Sequence, residues 1–109
     1  MTIAIDFDGT IHDAAHPLPD KRMGPPIQGA QEALMALKKK GHTIIIFSVW
    51  GDNGAVISKW MRFYQIPFDS ITNVKPNADI FIDDRAVHFS GYWEETLKVI
   101  PLLTPLSTP

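Results

Sequence analysis

Thr2-Ile3-Ala4-Ile5-Asp6-Phe7-Asp8-Gly9-Thr10 is the stretch that decides how this chain reads. Residues 2–7 are a mainly apolar run rich in isoleucine, the composition of a strand buried on both faces. Residues i and i+2 of a strand share a face, so Asp6 and Asp8 present two carboxylates together while Phe7 turns toward the body. Gly9 lets the chain bend sharply straight afterwards. Two neighbouring carboxylates repel. A hard divalent cation offsets that repulsion, and magnesium prefers such oxygen ligands.

Three more strands are expected downstream. Residues 43–47 are a second apolar run, ending at Ser48; residues 70–73 are a short third; residues 79–82 are a fourth, ending in Asp83-Asp84. Helical spacing separates them. From Ile27, the residues Ile27, Ala30, Leu34 and Leu37 fall on one face, and Lys38-Lys39-Lys40 before Gly41 suits a helix C-terminus. Residues 55–64 read as a helix with Val56, Trp60 and Phe63 inward, closed by Pro67. Residues 91–100 fit a last helix through Trp93, Leu97 and Ile100. Trp60, Phe63 and Trp93 are read as core aromatics. Residues 8–26 hold Gly9, Pro17, Pro19, Gly24, Pro25 and Pro26 and form a long loop, of the kind that often acts as a lid.

Strands alternating with helices predict a parallel sheet in an α/β domain, and such sheets place ligands at the carboxyl ends of their strands. The residues there are Asp6 and Asp8, Ser48, and Asp83 and Asp84, with Lys75 a few positions before the fourth strand. Two carboxylate pairs, a hydroxyl and an ammonium converge by topology, which outlines a phosphate-and-magnesium site.

These four segments resemble the signatures of the haloacid dehalogenase-like superfamily, the aspartate-nucleophile phosphatases. Asp6-Phe7-Asp8-Gly9-Thr10 resembles the first motif, Ile45-Ile46-Phe47-Ser48 the second, Lys75 in Lys75-Pro76-Asn77-Ala78-Asp79 the third, and Phe81-Ile82-Asp83-Asp84 the fourth. They occur in order and span nearly the whole chain. The resemblance implies a Rossmann-like three-layer sandwich with a short, mostly parallel sheet and no cap domain, since the 11–26 loop is flap-like only. It implies Asp6 as nucleophile and magnesium ligand, and Asp8 as general acid and then base, its backbone carbonyl also on the metal. Ser48 would hydrogen-bond the phosphoryl group and Lys75 would neutralise its charge. Asp83 would ligate Mg2+ directly, and Asp84 through water or by orienting the shell. Val49-Trp50-Gly51 follows Ser48 where small members often carry an arginine, and Arg85 is a candidate stand-in. Trp50 reads more readily as packing over its loop than as a stacking platform.

The implied chemistry is physically coherent. A carboxylate needs no deprotonation at neutral pH to act as a nucleophile, and hydrolysis then divides into two steps, each needing charge stabilisation. Asp8 must enter protonated, which a crowded acidic site favours. The expected activity is magnesium-dependent phosphomonoester hydrolysis. Alternatives on the same residues are phosphoryl transfer to another acceptor, a receiver-like phosphoacceptor, and a non-catalytic binding protein. A receiver carries its acidic pair adjacent on the first strand and its acceptor on a later one, so the Asp-x-Asp spacing argues against it.

Composition narrows the setting. With 109 residues the chain fits one domain, read as residues 1–100 with a Pro-rich tail over 101–109. A net charge of −2 lacks the basic footprint of a nucleic-acid binder. The absence of cysteine excludes disulfide and thiolate chemistry. The N-terminus lacks the basic flank of a signal peptide and no apolar run is long enough to span a membrane, so a cytoplasmic location is expected. An open, capless site would accept a phosphorylated metabolite, a nucleotide or a macromolecular end, or be closed by a second copy in a homo-oligomer. His12, His16, His42 and His88 have no metal-ligand spacing and are read as surface or loop residues, with His12 near the site. The Lys38–Lys40 run is read as a solvated helix end.

Overall fold

Strand formation follows the isoleucines. In the computed structural model, which describes residues 1–14, 23–49 and 54–102, β1 is Thr2–Asp6, β2 Thr43–Phe47, β3 Ser70–Thr72 and β4 Ile80–Ile82. All pair in parallel in the order β3-β2-β1-β4. Three helices, α1 (Ala30–Lys39), α2 (Ala55–Phe63) and α3 (Trp93–Val99), complete a small Rossmann-like α/β sandwich, as expected. No described helix is long and apolar enough to cross a membrane.

Partners in a parallel ladder share a face of the sheet. Ile3 and Ile5 therefore lie with Ile44, Ile46, Ile80 and Ile82, whereas Ala4 and Asp6 lie with Ile45, Phe47 and Phe81. The core sits on the first face, where Ile3, Ile5, Phe7, Ile44 and Ile46 pack with Leu34 of α1 and with Ile57, Trp60 and Met61 of α2. Two right-handed crossovers in the same direction put α1 and α2 on that one side. The second helix is rotated from its expected phase. Ile57, Trp60 and Met61 are buried, while Val56 is 45% and Phe63 71% exposed. Trp93, expected in the core, is 69% exposed, and α3 buries none of its residues. A 3₁₀ turn, Ile100–Leu102, extends α3; the rest of the expected tail lies outside the described residues. Strand β4 is also more open than its composition suggests, since it is an edge strand.

Two aspartates tie the strand starts together. Asp69, just before β3, accepts the Ile44 N–H of β2 at 2.7 Å while its own N–H donates to the Ile44 carbonyl at 2.9 Å. Asp79, just before β4, makes the same reciprocal pair with Thr2 of β1, both bonds 2.8 Å. Lys38 joins the first device, its Nζ 2.7 Å from Asp69 Oδ2 and 2.9 Å from the His42 carbonyl. Thus Lys38 is not a merely solvated helix end. The Ile44 N–H and Lys38 hold the Asp69 carboxyl below its ordinary value. Because the folded value lies below the unfolded one, this stabilisation is present above about pH 4 and is lost as pH falls through the folded value. Asp69→Ala is therefore expected to cost about 1–2 kcal/mol at pH 7. In thermal melts its Tm deficit against wild type should shrink in acid; a deficit independent of pH would mean that the carboxylate is not the stabilising group.

Candidate functional site

The carboxyl ends of β1 and β4 are adjacent because the strands pair directly. That pairing brings together oxygens of Asp6, Asp83 and Asp84, all within 4.8 Å of one another. Asp6 is half-buried at the strand end, whereas Asp83 and Asp84 face solvent. Asp83 also forms an Asx turn, its Oδ1 accepting the Arg85 N–H at 2.8 Å. Thr10 Oγ1 donates to Asp84 Oδ1 at 3.5 Å.

The crowding has an electrostatic consequence. Burial, and then the charges of Asp83, Asp84 and Asp8, push the Asp6 carboxyl from the ordinary 3.8 up to about 6, with Arg85 pulling the other way. The ionised cluster is thus under repulsion that a cation would relieve. The donor set is all carboxylate oxygen, which suits a hard ion of the magnesium or calcium kind. On this chemistry the residues fit the cation expected from the sequence.

Asp8 is oriented differently from its neighbours. The chain turns sharply after β1, with the Phe7 carbonyl accepting the N–H groups of Thr10, Ile11 and His12. That turn carries His12 back beneath Asp8, and His12 Nδ1 lies 2.8 Å from Asp8 Oδ1. His12 is only 5% exposed. Its ring stacks on Phe7 with centroids 5.2 Å apart and meets Trp60 edge-on at 5.5 Å. His12 thus lies in the loop after β1 and close to the site, as expected, but it is buried and not a surface residue.

The described residues on either side of 15–22 are tied to one another. Ile27 N–H donates to the Ile11 carbonyl at 2.8 Å and Asp13 N–H to the Pro25 carbonyl at 2.9 Å. The Gly24 peptide is gripped twice, its N–H donating to His12 Nε2 at 2.9 Å and its carbonyl accepting the Trp60 indole N–H at 3.0 Å. Residues 15–22 lie outside the described residues.

Ser48 follows the end of β2, where Phe47 pairs with Asp6. It is buried at 6% exposure, and its N–H donates to the Thr72 carbonyl at 3.0 Å. Lys75 stands with its Nζ 5.0 Å from the Phe81 ring centroid, a cation–π contact. Phe81 pairs with Ala4, so Lys75 is on the same face of the sheet as Asp6, although no ion pair joins it to a described carboxylate. Trp50 lies outside the described residues. The signal that sequence reading passed over is the Asp8–His12 spacing of four, next to the apolar Phe7 and Ile11.

No family model matches the chain, and no curated protein matches it. A solved structure does: a conserved protein coded by a locus of Bacteroides thetaiotaomicron, 33% identical, with a TM-score of 0.63. The match covers 94% of this chain and 90% of that one. At that identity and coverage, the chain belongs to one family with this conserved Bacteroides thetaiotaomicron protein.

Proposed function

We propose that this chain is a magnesium-dependent phosphomonoester hydrolase acting through an aspartyl-phosphate on Asp6, as its resemblance to the haloacid dehalogenase-like phosphatases implies. The observation that carries the reading is the meeting of Asp6, Asp83 and Asp84 oxygens within 4.8 Å at one edge of a parallel sheet. Those three side chains would hold the cation, with the Asp8 backbone carbonyl beside them. When bound, magnesium supplies positive charge that keeps Asp6 ionised and stabilises charge on the transferring phosphoryl group.

In the first step an Asp6 oxygen attacks phosphorus, the bond from phosphorus to the leaving oxygen breaks, and Asp8 gives that oxygen a proton. In the second, water attacks the phosphoryl group, Asp8 takes a proton from it, and the Asp6 carboxylate is regenerated with inorganic phosphate. Ser48 would bond a phosphoryl oxygen. Lys75 would swing from the Phe81 ring to the same group, a short excursion for a four-carbon stem on the same sheet face. The phosphorylated substrate is a small metabolite, a nucleotide or a macromolecular end, and the proposed setting is the cytoplasm.

The test is phosphate release from a panel of nucleotides, sugar phosphates, phosphopeptides and 3′-phosphorylated oligonucleotides, with magnesium and with EDTA. Magnesium-dependent release abolished by EDTA is expected. Release from no member, or release unaffected by EDTA, would sink the reading.

A further inference from the structure

We infer that His12 is a positioning residue that sets the orientation of the Asp8 carboxylate and couples it to the anchored base of the 11–26 loop; this rests on the function proposed above. The argument starts from hydrogen-bond direction. A backbone N–H can only donate, so the Gly24 N–H at 2.9 Å makes His12 Nε2 the acceptor nitrogen. An imidazole that accepts at Nε2 carries its proton on Nδ1. That proton points at Asp8 Oδ1, 2.8 Å away, and His12 is the donor of that bond. The tautomer is thus assigned by a main-chain group twelve residues along the chain.

Packing fixes the ring as firmly as the bonds do. Phe7 stacks on it almost parallel, at 11°, and Trp60 closes the edge at 83°. Trp60 also holds the far side of the Gly24 peptide through its indole N–H. The chain of contacts runs Trp60, Gly24, His12, Asp8. The first three members are buried, while the Asp8 side chain is 39% exposed at the open end. A buried, doubly bonded donor therefore holds one oxygen of the Asp8 carboxylate in a fixed direction. Orientation is what a proton-transferring group needs, and misplacing such a group by about 1 Å can cost ~10²-fold in rate.

Two conservative substitutions separate this role from a merely structural one. His12→Asn keeps an amide N–H near the Nδ1 position, facing Asp8, and loses the acceptor for Gly24. His12→Gln reaches the Nε2 position, keeps an acceptor for Gly24, and loses the donor to Asp8. Measured with magnesium on the best phosphomonoester of the panel, His12→Gln should lose roughly 10²-fold in kcat with KM little changed. His12→Asn should stay within about tenfold of wild-type kcat while melting roughly 5 °C lower, because the buried Gly24 N–H has lost its partner. A wild type that releases no phosphate overturns the proposed function and this inference with it. An active wild type in which Gln matches or exceeds Asn in kcat, or in which both fall in proportion to their melting temperatures, overturns the inference alone.

Discussion

Asp6→Asn is expected to abolish the proposed turnover and, in the absence of metal at neutral pH, to raise the melting temperature. The first half follows from chemistry. An amide does not displace an alkoxide from phosphorus, so removing the nucleophile should cost ~10⁴-fold or more, the scale seen when a covalent nucleophile is deleted. The second half follows from the site's electrostatics. Burial and the charges of Asp83, Asp84 and Asp8 raise the folded Asp6 carboxyl to about 6. The unfolded chain gives up that proton near the ordinary 3.8. Between those two values the folded state binds more protons than the unfolded one, so stability falls as pH rises through the window and stays reduced above it. Two units would correspond to ~3 kcal/mol, but Asp6 is partly open to water, and screening brings this to on the order of 1 kcal/mol. Asparagine carries no charge and escapes the cost. Thermal melts in EDTA should therefore show the variant above wild type at pH 7.5 and level with it near pH 4. Added magnesium should stabilise wild type more than the variant, because binding to the folded state raises Tm by mass action. Retained activity in the variant would remove Asp6 as nucleophile. A variant less stable than wild type in EDTA at pH 7.5 would mean that repulsion does not dominate at this edge of the sheet.

The acidic residues of the candidate site are legible in the sequence, while much of their surroundings is not. Asp6 and Asp8 are visible because a strand has a period of two and because the chain must turn at Gly9; both are local rules. Asp83-Asp84 comes into view the same way, at the end of the run Ile80-Phe81-Ile82. What brings the two ends together is the pairing of β1 with β4; the alternation of strands and helices predicts a parallel sheet but does not fix which strand lies beside the first. The phase of α2 is a different problem. Val56, Trp60 and Phe63 make a helical stripe, but so do Ile57, Trp60 and Met61, and only contact with the sheet chooses between them. Similarly, Trp93 is apolar enough for a core that α3 does not enter. For His12 the spacing of four from Asp8 is visible in the sequence, but its second partner, the Gly24 N–H, is a main-chain donor and leaves no mark there. Lys75 has the right face of the sheet but is held over Phe81, a contact that no spacing rule anticipates.

Gly9→Ala is expected to damage the site more than the fold, and a second glycine makes that claim testable. Gly9 has φ of +85°, a conformation that costs an alanine roughly 1 kcal/mol. A Cβ added there would meet Asp84 Oδ2 at 2.5 Å and Cγ at 2.9 Å. The Asp84 side chain is short, and it is tied to Thr10 Oγ1 and gathered with Asp6 and Asp83. It relieves the clash by shifting its carboxylate, which moves it relative to Asp6 and Asp83. Gly41 has nearly the same φ, +88°, and no atom within 4 Å of an added Cβ. Both substitutions therefore carry the same backbone strain, and only the first displaces a carboxylate. The two variants should lose similar amounts of Tm in EDTA. Under limiting magnesium, Gly9→Ala should lose roughly 10–100-fold in metal affinity or activity, the scale of disturbing a group that positions a metal ligand, while Gly41→Ala stays at the wild-type level. The physical point is that the absent side chain of Gly9 makes room for Asp84, so the turn after the first strand and the acidic end of the fourth are one structural unit. Equal magnesium dependence in the two variants would show that displacing Asp84 does not disturb the cation site, and the proposed metal binding would then rest on Asp6, Asp83 and the Asp8 carbonyl.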